Sequence, residues 1–318
     1  MKKYLAPILL LVPMSFLHGQ AQVPQTATFE DGTKINYVVL DNDGDHGFVN
    51  TLSLGGNIDD RGAGSAVRYS RYSAGSFLFE ASIGYSFLDG FQSIAAGGFY
   101  FFKSNKKDYA LPISIRSVIS GPNEETHYVL KVPSTKGVHY GAHFEVGFGN
   151  YSLGNGIVGY TANNDPITGY GVSANGAYAV SKLTAPRIAI GIGKVKTKQV
   201  RIKVENKSFM GGQSSGELFA DFLLYPGIGF TYTAIDSLAG THALEKSDFI
   251  KSSTGFRVAF AQNVSFKYHK KSDPKGCIGL SWRVGVIKSF FDNQTATGRI
   301  GEAMSIEFGL GLHYAFGL

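Results

Sequence analysis

The sequence predicts an all-β protein whose main domain is an antiparallel, up-and-down β-barrel that crosses a membrane. Three observations lead there. Side-chain character alternates with period two in segment after segment, as it must where successive residues of a strand point to opposite faces. Several of these segments run 11–15 residues, whereas the strands of soluble sandwiches usually have about 5–6. The face opposite the apolar one is rich in Gly, Ser and Ala rather than in the Lys and Glu that suit a solvated sheet. Composition agrees: 41 of 318 residues are Gly, 24 are Phe and 17 are Tyr, and only 17% are charged, against a usual ~25%.

In chain order, Met1-Lys2-Lys3 opens an apolar run from Tyr4 to Leu17 that leads to Gly19-Gln20-Ala21. A short basic start, an apolar stretch and small residues at −3 and −1 describe an export signal, residues 1–21, cut before Gln22. The run is interrupted by Pro7 and Pro13 and is short for ~30 Å of hydrocarbon. Beyond it no stretch approaches 18 uninterrupted apolar residues, so no helical span is expected. Removing the two signal lysines takes the net charge from +6 to +4, too diffuse to imply nucleic acid. Cys277 is the single cysteine, which excludes an internal disulfide, and no Cys/His cluster calls for a metal.

Residues 47–58 alternate weakly, and in 66–75 Arg68 and Arg71 fall on opposite faces. Then Phe77, Phe79, Ala81, Ile83, Tyr85 and Phe87 oppose Ser76, Glu80, Ser82, Gly84 and Ser86. Weaker alternation marks 93–102, 109–119 and 126–132. Val138, Tyr140, Ala142, Phe144, Val146 and Phe148 oppose His139, Gly141, His143, Glu145 and Gly147. Tyr170, Val172, Ala174, Tyr178 and Val180 oppose Gly171, Ser173, Asn175, Ala177 and Ser181. Phe256, Val258, Phe260, Val264, Phe266 and Tyr268 oppose Arg257, Ala259, Asn263, Ser265 and Lys267. Ile278, Leu280, Trp282, Val284, Val286 and Phe290 oppose Gly279, Ser281, Arg283, Gly285 and Ser289. The last segment is the cleanest. Met304, Ile306, Phe308, Leu310, Leu312, Tyr314, Phe316 and Leu318 face Ser305, Glu307, Gly309, Gly311, His313, Ala315 and Gly317.

The signal, this dyad repeat and the closing Leu312-His313-Tyr314-Ala315-Phe316-Gly317-Leu318 resemble bacterial outer-membrane β-barrel proteins over nearly the whole mature chain. Such barrels usually finish on an aromatic residue, and here Phe316 stands two positions before Leu318. The resemblance implies a location in the cell outer membrane, contact with its lipids, and recognition of the C-terminal strand by the insertion machinery. It also implies an N-terminal periplasmic segment, 22–46, ahead of a barrel over 47–318.

In this class the periplasmic turns are short and the external loops longer. Walking back from a periplasmic C-terminus, 292–303, 236–253, 204–213, 150–168 and 120–125 read as external. The segments 269–276, 225–227, 183–186, 133–137 and 103–108 read as turns. The result is about 14 strands, or 12 if 217–235 is one long strand. At that width a lumen remains open, since roughly eight strands suffice to fill a barrel solidly.

The candidate pore-lining residues are Arg116, Lys131, His139, His143, Glu145, Glu217, Asp221, Arg257, Lys267, Arg283, Glu307 and His313, with Glu80 on the same side. Charges facing lipid would cost about 2–4 kcal/mol each at the midplane. Gathered inward they either line an aqueous pore or knit into salt bridges. His139, His143 and Glu145 are the nearest approach to a catalytic cluster. The two histidines, however, stand about 13 Å apart along a strand at ~3.3 Å per residue, and no GxSxG nucleophile motif accompanies them. Asp41-Asn42-Asp43-Gly44-Asp45-His46-Gly47 begins like a calcium loop, but His46 takes the glycine place and Leu52 that of the bidentate glutamate, so a turn is expected. Lys196, Lys198 and Lys203 are expected where their strand leaves the membrane, against anionic headgroups or water. No cofactor, metal or catalytic residue is expected. The function read from the sequence is a passive pore for small solutes or a scaffold. The alternatives are an accessory component of a secretion or surface-attachment machinery, with an envelope protein as partner, and a barrel-embedded hydrolase.

Overall fold

The strands of the ring alternate an apolar outward face with an inward face of small and polar residues, and that alternation organises the computed structural model. It describes residues 24–44, 50–59, 62–73, 75–86, 90–121, 124–152, 159–160, 166–167, 178–205, 208–226, 231–236, 240–242, 252–266, 268–271, 276–295 and 298–316. The expected export signal lies outside them, as does most of 236–253. In chain order the strands are β1 (Pro24–Thr28), β2 (Lys34–Asp41), β3 (Asn50–Asp59), β4 (Gly62–Ser73), β5 (Phe77–Ser86), β6 (Gly90–Gly121) and β7 (Glu124–Ser152). The short β8 (Gly159–Tyr160) and β9 (Pro166–Ile167) follow, then β10 (Tyr178–Val204), β11 (Ser208–Pro226), β12 (Thr231–Asp236) and β13 (Gly240–His242). The last are β14 (Ser252–Ser265), β15 (Tyr268–Lys270), β16 (Gly276–Thr295) and β17 (Gly298–Phe316).

Among the described residues ten strands, β3–β7, β10, β11, β14, β16 and β17, form a closed antiparallel cylinder, with β3 pairing β17 to complete the ring. The outer face is apolar. On β17, Met304, Ile306, Phe308, Leu310, Leu312 and Tyr314 are 45–69% exposed, while Glu307, His313 and Ala315 on the opposite face are at most 5% exposed. The ten residue steps from Met304 to Tyr314 cover about 33 Å at ~3.3 Å each. At a tilt of about 40° that spans roughly 25 Å, the height of the apolar band of a membrane barrel.

Ten strands replace the 14, or 12, that connection lengths suggested. The segments 103–108, 133–137 and 183–186 are not turns but lie inside β6, β7 and β10, in register as Lys106↔Gly137, Pro133↔Ala110 and Pro186↔Phe148. Nor does the chain reverse after Pro226, where β11 ends: β12 runs on in the same direction along the same edge of β10, from Thr184↔Thr231 to Tyr178↔Asp236, and pairs with β13. The physical reason is that these strands outrun the apolar belt. Residues 102–108 are exposed on both faces, so their Lys, Ser, Asn and Asp mark water rather than chain reversal. The tips at 120–125 and 204–213, read as external, lie at the end of the cylinder that carries Phe316.

At that terminus-bearing end the β6–β7 hairpin continues past the ring from Ser93↔Gly149 to Gly121↔Glu124. The β1–β2 hairpin enters a seam there. Pairing of β7 with β10 stops at Lys136↔Lys198, and β2 takes over along β10 from Arg201↔Asp41 to Val204↔Tyr37. Asn42 stitches the other side of the seam: its carbonyl accepts from Thr135 N and Ser134 Oγ, each at 2.9 Å, and its amide donates to Pro133 O at 3.0 Å. Ile35, Tyr37, Ile113, Leu130, Val132, Val200, Ile202 and Met210 pack there as an apolar core outside the ring. In the β1–β2 turn the Tyr128 hydroxyl, with Thr33, holds the Asp31 carboxyl below the usual carboxylate range. The Asp41–Gly44 stretch is a turn in which Asp43 N donates to Asp41 Oδ1 at 3.0 Å.

Gly98 on β6 has φ +140°, a region L-residues rarely enter. A Cβ there would sit 1.8 Å from Leu78 O. Gly98→Ala is expected to lower stability by about 2–3 kcal/mol or more, read as an earlier urea midpoint of the reconstituted barrel. An unchanged midpoint would show that the strand relaxes freely at this point.

Candidate functional site

The interior of the cylinder is the candidate site, because the alternation that greases the outside sends nearly all else inward. One register row runs through Phe99 on β6, His143 on β7, Gly191 on β10, Asp221 on β11 and Arg257 on β14. Directly opposed residues share a face, so these five meet inside. Gly191 makes the row work. A Cβ at that position would stand 2.4 Å from Asp221 Oδ1; its absence lets His143 reach over β10 to Asp221, with Nδ1 2.8 Å from Oδ1.

Arg257 binds the same carboxylate from the other side, with Nη2 2.6 Å and Nε 2.9 Å from Asp221 Oδ2. Its Nη1 crosses to Glu145 on β7, 3.2 and 3.3 Å from the two carboxylate oxygens, and Arg187 on β10 reaches Glu145 at 2.9 Å. A second brace is Arg283 on β16, 3.2 Å from Glu307 on β17 and 3.7 Å from Glu80 on β5. Both Arg257 and Arg283 lie over the ring of Phe219, at 5.0 and 5.5 Å from its centroid. His143 stacks on that ring at 4.5 Å and packs against Phe99 at 4.6 Å. Arg187 and Arg257 are each only 2% exposed. Charges so deeply buried persist only where ion pairs and hydrogen bonds compensate them.

Toward the terminus-bearing end Tyr72, Leu78, Phe99, Phe101, Val195 and Phe219 form an apolar cluster in the interior. His139 belongs here: Nε2 is 2.9 Å from the Tyr72 hydroxyl and Nδ1 is 2.9 Å from Ser104 Oγ. Ser104 Oγ in turn donates to Gly75 O at 3.2 Å, and Tyr72 Oη accepts from Gly75 N at 3.2 Å. The pattern closes with Tyr72 donating to Nε2 and Nδ1–H donating to Ser104. In that arrangement the imidazole donates a hydrogen bond to the serine oxygen and accepts none from it. The β3–β5 and β16–β17 side differs: a cleft lined by Thr51, Ser53, Ser70, Ser82 and Ser281 reaches Glu217 and Arg283.

Of the residues picked from sequence, His139, His143, Glu145, Glu217, Asp221, Arg257, Arg283, Glu307 and His313 face the interior. His143, Glu145, Asp221 and Arg257 meet in one cluster; Arg283 and Glu307 form the second brace; His139 keeps separate partners. Lys131 is exposed, between buried Leu130 and Val132. It has the parity of the interior face but lies on β7 beyond the ring, where that face meets water. The side chains of Arg116 and Lys267 lie outside the described ones. Sequence reasoning missed Arg187, because Pro186 read as a turn. Its parity with Ala189, Gly191 and Gly193, opposite Ile188, Ile190 and Ile192, is the signal that finds it. It also missed the inward aromatics Tyr72, Phe99, Phe101 and Phe219.

No family model and no curated protein matches the chain. Among solved structures, it is similar to the in-vitro folded outer membrane protein OmpT of Vibrio cholerae, at 8% identity over 88% of this chain and 98% of that one, with a TM-score of 0.17. It is also similar to an anion-selective porin from Comamonas acidovorans, at 10% identity over 84% and 98%, with a TM-score of 0.12. At such scores neither likeness informs the site, which stands on its own geometry.

Replacing Arg257 by Met strands Asp221 and Glu145 in the interior. Removing one partner of a buried pair typically costs 3–5 kcal/mol, and a loss of about that size in urea unfolding is expected. Asp221→Asn in the same chain is expected to restore part of it, giving a coupling energy above about 1 kcal/mol. Additive losses would mean that the two groups act independently.

Proposed function

We propose that the chain is an outer-membrane β-barrel whose interior is sealed, so that it serves as a membrane-embedded scaffold rather than a diffusion pore. The observation that carries this reading is the arginine cross-brace: Arg257 ties β11 to β7 across the interior, with Phe219 beneath its guanidinium. A ten-stranded ring is only slightly wider than one that side chains fill completely. Paired charges stacked on aromatic rings leave little water-filled section at that level. The apolar outer belt and the export signal expected over 1–21 support a place in the outer membrane. Beyond the membrane, the β6–β7 extension and the β1–β2 hairpin form the body that such a scaffold presents to its surroundings.

Planar-bilayer recording tests the reading. The wild-type barrel is expected to give no stable stepwise conductance, whereas Arg257→Ala combined with Phe219→Ala is expected to give steps, because it removes the brace and the ring under it. Regular porin-like steps from the wild type would overturn the proposal and return the passive pore to first place.

A further inference from the structure

Outside the ring, where the apolar belt ends on β6, β7 and β10, the register brings six lysines onto one outward face. Lys103 and Lys194 flank Tyr140; Asn105 and Lys196 flank Val138; Lys107 and Lys198 flank Lys136. The last row sets three like charges side by side on adjacent strands, which is destabilising when nothing intervenes. Among the described residues none of the six forms an ion pair with a carboxylate, whereas Lys106, on the opposite face of β6, pairs with Asp43. What the patch holds instead is aromatic. Lys194 Nζ lies 5.0 Å from the centroid of Tyr140, and Lys198 and Lys136 lie 4.5 and 6.0 Å from that of Tyr109.

The surroundings say what covers it. On the membrane side the same face continues directly into exposed Tyr100, Phe102, Phe144 and Ile192, a wall fit for acyl chains. On the other side it runs into the buried apolar core around Val132 and Ile202. The lysines thus occupy the headgroup level, where long basic side chains and tyrosines naturally sit. We infer that this face is a binding site for an anionic phospholipid, its phosphate held by the lysines of the three rows and its chains lying along the Tyr100–Phe144–Ile192 wall. The site rests on the membrane placement proposed above and adds to it a particular ligand class and location. A free phosphate could engage the lysines but would leave the wall unused, so the lipid is the better match.

The test uses the folded full-length barrel, shown first to insert into phosphatidylcholine vesicles and then held in zwitterionic micelles. Binding of dihexanoyl-phosphatidylglycerol, dihexanoyl-phosphatidylcholine and inorganic phosphate is measured by calorimetry. Each basic group near an anionic surface contributes roughly a fivefold gain in affinity. Phosphatidylglycerol is therefore expected to bind at least about tenfold tighter than phosphatidylcholine. Lys194→Gln/Lys196→Gln/Lys198→Gln is expected to abolish that preference, and Lys34→Gln/Lys270→Gln/Lys271→Gln, which removes equal charge from exposed lysines elsewhere, to keep it. If the first variant fails to fold, Lys107→Gln/Lys136→Gln takes its place. Equal binding of the two lipids by the wild type, or equal loss in the control variant, would overturn the lipid site. Inorganic phosphate binding as tightly as phosphatidylglycerol would assign the lysines to free phosphate instead. Failure of the wild type to insert would overturn the membrane placement as well, which separates the two readings.

Discussion

A buried charge must find its counter-charge, and in this fold that requirement is met only across the interior of a closed ring. The outer face of the ten strands is apolar, and among the described residues Glu80, Glu145, Arg187, Glu217, Asp221, Arg257, Arg283 and Glu307 are turned inward. Ten strands leave too little room for those groups to remain fully hydrated there. The result is a set of chords: Arg257 from β14 to β7 and β11, Arg283 from β16 to β17 and β5. The small residues follow from the same constraint, because Gly191 is where His143 passes over β10 to reach Asp221.

The alternation was legible because it is written twice, once as an apolar face and once as a face of small and polar residues. It survives even in strands whose individual residues are unremarkable. Strand number was not legible, because polar composition has two causes. Lys103 to Asp108 and Pro133 to Gly137 look like reversals, yet they are paired portions of β6 and β7 that run on past the apolar belt. The same ambiguity hid Arg187 behind Pro186 and gave Lys131 an interior place by parity alone. Parity tells which face a residue is on, but not whether the ring still encloses that face.

Within the site, the sequence pointed to the charged members and passed over the rings between them. Glu145, Asp221, Arg257 and Arg283 announce themselves as charges on a small-residue face. Phe99, Phe101 and Phe219 interrupt that face, so they read as noise in the pattern. Phe219 carries both guanidiniums and, with Phe99, packs His143, while Phe101 packs against His139. Partner choice across the ring depends on which non-adjacent strands face one another, which one-dimensional periodicity does not encode.

The seam that admits β2 between β7 and β10 sets an order of arrival. Residues 35–42 precede every strand of the ring in the chain, yet their seat is built by Thr135 on β7 and by Arg201–Val204 on β10. This leading stretch therefore cannot be seated as it emerges. Its Ile35 and Tyr37 find one part of their core, Ile113, Leu130 and Val132, only with β6 and β7, and the rest, Val200 and Ile202, some 160 residues on with β10.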